Sequence, residues 1–199
     1  MASGDWAGYY DAQAGREPRE LLRDVLAAFD REDRVGSAVD LGCGDGTETA
    51  ELIARGWEVV AIDAEEDAIR RVREKIPSDG TPFLSTIVSP MEDVSIPESD
   101  LVFASFSLPF CRPAAFPGLW NRLRSSLRPG GRFAGELFGD RDSWASDPDM
   151  TFHDARAAEE LLDGLEVEWF EEEEEDGEAF DGPKHWHVFH VIAREPGER

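Results

Sequence analysis

The chain has 199 residues and a formal net charge of −24, with 44 Asp and Glu against 20 Lys and Arg, so its surface repels the phosphates of DNA and RNA and excludes nucleic acid as an expected partner. It has no apolar run of about 18 residues and no basic start leading into an apolar stretch, so it is expected to have no membrane partner, no secretory leader and a cytoplasmic location. Hydrophobic residues at 41% and aromatics at 10% suffice for one packed core, and with lysine only at Lys75 and Lys184 the hydrated carboxylates suggest a protein that stays soluble in high salt.

The opening "DWAGYYDAQAG" is aromatic, and residues 1–17 are expected to be a flexible arm or lid. Pro18–Phe29 follows as an amphipathic helix, with Leu21, Leu22, Val25, Leu26 and Phe29 on one stripe. Then come a strand at Ala38–Leu41, a glycine loop, a helix over Thr47–Arg55 and a strand at Trp57–Asp63. "EEDAIRRVREKI" predicts a helix, "PFLSTIVS" and "DLVFASFSL" strands, "FPGLWNRLRSSL" a helix, and "GRFAGELFG" a strand after the turn "RPGG". Largely apolar strands alternating with helices predict an α/β fold whose parallel sheet is covered on both faces. After the helix "DARAAEELLDGL", the alternating segments "EVEWFEEEEEDG" and "KHWHVFHVIARE" predict an antiparallel pair closing a single domain over 18–195, with a frayed tail at 196–199. Cys43 and Cys111 lie in separate apolar contexts and are expected to be reduced thiols, with Cys111 a buried inert one.

"AVDLGCGDGTETAEL" brings backbone close to a ligand, because Gly42, Gly44 and Gly46 follow directly on an apolar strand. The spacing is G-x-G-x-G rather than the longer pyrophosphate form, and no lysine is placed to reach a phosphate. These features favour a nucleoside with a compact polar or zwitterionic end. Asp63 closes the second strand 21 positions after Gly42, where a carboxylate accepts from both ribose hydroxyls; the competing reading is that it caps the next helix.

With "VVAID", "LRPGGRF" and the closing strand pair, this loop resembles a class I S-adenosylmethionine-dependent methyltransferase over residues 15–195. "FASFSLPFC", "FAGELFGDRDSW" and "GPKHWHVFHVIARE" most resemble small enzymes near the tellurite-resistance and thiopurine methyltransferase group. The resemblance implies a Rossmann-like, seven-stranded, mostly parallel sheet with helices on both faces, S-adenosyl-L-methionine as cofactor, and a small-molecule methyl acceptor. It places Asp40 at the loop or the ligand's amino group, Gly42 and Gly44 against the methionine moiety, Asp45 or Thr47 as polar contacts, and Asp63 with Ala64 at the ribose. At the adenine it implies Met91 with Glu92 or Asp93, since Pro90 stands where the family's acid is expected. Ser105, Phe106 and Leu108 match the segment lining the sulfonium, and Tyr10, with Trp6 and Tyr9, supplies aromatic walls from the lid.

Methyl transfer needs alignment and exclusion of water more than a dedicated base. Glu136 and His153 are the candidate catalytic groups, with Asp140, Arg141 and Trp144 near the same sheet edge. His185 and His187 share a strand face without a third ligand in view, so no metal is expected, and the run Glu171–Asp176 reads as a solvated strand end and turn. Two rival functions remain: a non-catalytic S-adenosylmethionine-binding sensor or partner subunit, and an NAD-binding oxidoreductase.

Overall fold

The computed structural model describes residues 5–77 and 81–197; the first four residues of the expected arm and the last two of the expected tail lie outside the described residues. In chain order the elements are α1 (Trp6–Ala12), α2 (Glu20–Arg31), β1 (Ser37–Leu41), α3 (Thr47–Ala54), β2 (Glu58–Asp63), α4 (Glu66–Lys75) and β3 (Leu84–Val88). They continue as β4 (Ser99–Ala104), α5 (Phe116–Ser126), β5 (Leu127–Gly139), β6 (Phe152–His153), α6 (Ala155–Leu161), β7 (Glu166–Ala179) and β8 (Gly182–Arg194).

The sheet runs β3-β2-β1-β4-β5-β8-β7, parallel up to β5, with β8 antiparallel to both β5 and β7. An eighth strand, β6, adds a two-residue parallel pairing at Phe138 and Gly139, too short to leave a periodic signal in sequence. The "RPGG" turn is absorbed into β5, whose pairing with β4 shifts between Ser99 and Leu101.

Central strands are apolar on both sides because both faces are covered. One face packs Leu22, Val25, Leu26 and Phe29 of α2 against Ala38, Leu52, Trp57 and Val59. The other packs Leu119, Trp120 and Leu123 of α5 against Val39, Val102, Phe133 and Phe189. Arg132 of β5 is 2% exposed and ion-paired to both Glu32 (2.6 Å) and Glu168 (2.7 Å), so a buried charge ties the helix layer to the hairpin. The chain leaves β1 toward β2 on one side and returns at β4 on the other, opening a crevice beyond the carboxyl ends of β1 and β4 where open α/β sheets take ligands. Among the described residues no helix is long and apolar enough to cross a membrane.

Candidate functional site

The crevice is built on the loop after β1. Gly42 and Cys43 donate their N–H groups to the Ile62 carbonyl (2.8 and 3.0 Å), which pins the loop to β2. Gly42 has φ +77°, and a Cβ there would overlap the Ser107 side chain, whose hydroxyl donates to the Leu41 carbonyl (2.6 Å). Only a glycine allows the loop to sit this close to the chain leaving β4. Gly44, at φ +52°, donates its N–H to Asp63 Oδ2 (2.9 Å), while Asp63 Oδ1 accepts from Glu65 N–H (2.9 Å). Asp63 therefore fastens the loop, and α4 begins with Glu65 as a cap that makes no side-chain bond. Each Asp63 oxygen keeps a further lone pair for a ligand.

Above the loop lies a cavity of about 540 Å³. Asp40, Gly42, Gly44, Asp45, Asp63 and Ala64 line its inner side, Met91 and Glu92 one flank, Ser105 and Phe106 the other, and Tyr10 the top. The backbone carrying Met91 and Glu92 is held by the Arg122 guanidinium, which donates to both carbonyls (3.1 and 2.6 Å). Tyr10 is 4% exposed and lies against Gly44; burial and then the charge of Asp63 raise its phenol pKa. The expected arm is thus helical over α1, its start capped by Asp5, which accepts from Gly8 N–H (2.8 Å).

Carboxylates around the loop differ in state. Burial, then the neighbouring Glu48, pushes Asp40 up to about 7, against the Thr49 hydroxyl that donates to it at 2.6 Å. Glu48, itself 4% exposed, is gripped by both terminal nitrogens of Arg16 (2.5 Å each) and by the Arg19 N–H (3.2 Å). Burial would raise Asp45, but Lys75 at 2.6 Å and Thr47 outweigh it and hold the carboxyl below its usual range. Asp63 is raised, chiefly by burial.

On the far flank Phe106 takes φ +50°, a conformation that stores strain in a non-glycine residue. Its N–H donates to Glu136 Oε2 (3.0 Å), and Glu136 is 1% exposed. His190 joins Glu136 (3.8 Å) to Glu173 (2.9 Å); burial alone would lower its pKa, but the two glutamates outweigh that and raise it. The Arg19 guanidinium covers the Phe106 ring at 4.5 Å and, among the described residues, has no carboxylate partner.

Several sequence candidates lie off the cavity wall. Glu136 sits behind Phe106 and reaches the cavity through the Phe106 amide and His190. His153 packs on Phe116 at 4.9 Å, with its Nε2 buried and unpartnered, and burial lowers its pKa to about 4; its ring is not part of the cavity. Asp93 is exposed and Leu108 fully buried, and neither lines the cavity. The Cys111 thiol is fully buried and raised by burial to about 11, and both cysteines are unpaired.

The acidic run lies within β7 and alternates between its two sides, because strand side chains do so. Glu173 and Glu175 line the cavity; Glu172 and Glu174 face Arg141, which spans them at 2.5 and 2.8 Å. His187, expected on a half-exposed face, is fully buried and bonded to Glu172 (3.0 Å) in the space left by Gly139. Glu172, Glu174 and His187 thus cluster, with the Arg141 cation already between the carboxylates. Arg16, Arg19, Glu48, Phe138, Trp186 and His190 also line the cavity without having been singled out from sequence. For Trp186 and His190 the signal is the same alternation on β8; for Arg19 it is its place just before α2, which no motif marks.

A glycine loop tied to an acid at the end of β2, beside the switch point of a mostly parallel sheet, defines a Rossmann-like α/β domain with a nucleoside-type crevice. Residues 38–131 match a family model described as a methyltransferase domain. The chain is 35% identical over 101 residues to magnesium-protoporphyrin O-methyltransferase of Rhodobacter capsulatus, covering 50% of this chain and 45% of that protein. It is 34% identical over 130 residues to trans-aconitate 2-methyltransferase of Acidovorax ebreus (strain TPSY), covering 64% and 46%. The chain thus spans just under half the length of both relatives. In fold it is similar to TehB from Haemophilus influenzae (TM-score 0.76, 16% identity, 96% of this chain and 67% of that one). It is also similar to the N-methyltransferase NodS from Bradyrhizobium japonicum WM9 in complex with S-adenosylhomocysteine (TM-score 0.64, 17% identity, 90% of each chain). The chain is thus similar to a methyltransferase domain over residues 38–131, and its fold is shared with TehB and NodS.

Proposed function

We propose that this protein transfers a methyl group from S-adenosyl-L-methionine to a small-molecule acceptor. The observation that carries the proposal is the Asp63 carboxylate, which fastens Gly44 and keeps lone pairs facing the cavity. The residues present fit the cofactor. Bare backbone at Gly42 and Gly44 admits its close approach, and the Ser105 hydroxyl on the cavity wall is buried without a partner. Asp63 would hold the ribose diol, Met91 and Glu92 the base, Asp40 the amino group, and Arg19 the carboxylate.

When bound, S-adenosylmethionine supplies a methyl group already activated on a positive sulfur, so the chain's work is positioning and exclusion of water. α1 roofs the cavity, with Trp6 edge-on to Phe110 at 5.0 Å, and Tyr9 meets Phe180 of the β7–β8 turn at 6.0 Å. Glu136 acts as a positioning residue: it accepts the Phe106 N–H and so holds a strained backbone where the sulfonium and acceptor meet. Glu136→Leu should lower kcat about tenfold with a smaller change in KM, since an orphaned buried amide costs about 1–3 kcal/mol. Glu136→Gln, whose amide oxygen still accepts that N–H, should recover most of the rate. Equal loss in both variants would remove the positioning role.

Calorimetry with S-adenosylhomocysteine tests the cofactor, and product release across thiols, phenols, amines and chalcogen oxyanions tests the reaction. Micromolar binding and turnover of one class are expected. Binding of NAD instead would overturn the proposal, and cofactor binding with no turnover would favour the sensor.

A further inference from the structure

The outer part of the cavity contains groups that neither the nucleoside nor the amino-acid end of the cofactor uses. Its walls are aromatic: the ring centroids of Phe106, Phe138 and Trp186 lie 5.9–6.1 Å apart, steeply inclined to one another, and Phe110 and Trp144 extend the surface. Its rim is acidic: Glu173, Glu175 and Glu178 all come from β7. Glu173 is engaged by His190, whereas Glu175 and Glu178 make no ion pair among the described residues.

Nearby cations do not offset this rim. Lys184 lies over the Phe138, Trp144 and Trp186 rings at 5.1, 3.8 and 4.5 Å, but it is outside the cavity lining and paired with buried Asp142. Arg16 is committed to Glu48, and Arg19 lies against Phe106 beside the loop, where the cofactor carboxylate is assigned. Aromatic faces and uncompensated carboxylates together attract a positive group on an apolar body. They oppose an anion, which meets like charge on the rim.

We infer that the methyl acceptor is an amine, cationic in solution at neutral pH and carried on an aromatic or apolar body, received between the Phe106–Phe138–Trp186 walls and the Glu173–Glu175–Glu178 rim. This rests on the cofactor reading above. The reacting species is the free amine: its nitrogen lone pair forms the N–CH3 bond as the S–CH3 bond breaks with its electron pair left on sulfur. The proton shed by the ammonium passes through the rim carboxylates to water.

The test uses the full chain saturated with S-adenosylhomocysteine and three probes of similar size, benzyltrimethylammonium, benzyl alcohol and benzenesulfonate, titrated by calorimetry. The cation should bind about tenfold or more tighter than the other two. Glu175→Gln combined with Glu178→Gln should remove about tenfold of that affinity, with S-adenosylhomocysteine binding as the check that the variant is folded. In turnover, benzylamine should exceed benzyl alcohol and benzyl mercaptan in kcat/KM. Equal or tighter binding of benzyl alcohol or benzenesulfonate, or unchanged cation affinity in the double variant, overturns the inference. Failure to bind S-adenosylhomocysteine at all overturns the cofactor reading instead, so the two failures are distinct.

Discussion

Asp63→Ala should weaken S-adenosylhomocysteine binding about 100-fold at neutral pH, measured by calorimetry. The carboxylate joins the two halves of the nucleoside site, accepting the Gly44 N–H on one oxygen and the Glu65 N–H on the other, both at 2.9 Å. Hydrogen bonds to a charged group contribute about 1.5–3 kcal/mol each. Alanine removes those offered to the ribose and also the acceptor of the Gly44 N–H, at a residue held at φ +52°. A loss of about 3 kcal/mol follows, which is the 100-fold. Asp63→Asn keeps one acceptor oxygen and no charge, so it should fall between, at about tenfold. Affinity of the alanine variant within about threefold of the parent would show that this acid serves only the loop.

The inner half of the site is legible in sequence because one stretch of chain builds it. Gly42, Gly44 and Gly46 follow β1 directly, and all three take positive φ. Asp63 ends the strand that β1 pairs with, in register from Ser37 with Glu58 to Leu41 with Ile62, so a fixed spacing in sequence becomes a fixed distance in space. The outer half is assembled from segments distant in sequence, and no spacing encodes their meeting. Glu136, His190 and Glu171 fall in one row across β5, β8 and β7 only because of the antiparallel register. His153 illustrates the opposite failure: it stands near the predicted sheet edge, yet pairing of β6 with β5 turns its ring onto Phe116. Likewise, a run of six acids reads as solvated when only composition is considered, while strand alternation sends Glu173 and Glu175 to the cavity and Glu172 and Glu174 to Arg141.

Cofactor affinity should also depend on pH below neutrality, through Asp40. This carboxyl, one residue before the end of β1, is 3% exposed, with the Thr49 hydroxyl as its donor and the acids Glu48 and Asp63 facing it from α3 and β2. Arg16 acts in the other direction but is already bound to Glu48, so burial and like charge prevail and the group titrates at about 7. A carboxyl whose pKa is higher folded than unfolded makes the ligand-free protein lose stability as pH rises from about 4 to 7, because over that window the folded state still holds a proton that the unfolded state has released. An ammonium placed against Asp40 favours the ionised form and draws that pKa down, so binding releases a proton below pH 7. The dissociation constant for S-adenosylhomocysteine should therefore rise by up to about tenfold per pH unit between pH 7 and the lower pKa of the complex. In Asp40→Asn the affinity should be lower at pH 8 and nearly flat across this window, because the titrating group is gone. The same slope in parent and variant would assign the proton elsewhere, with His190, between Glu136 and Glu173, the next group to test by His190→Gln.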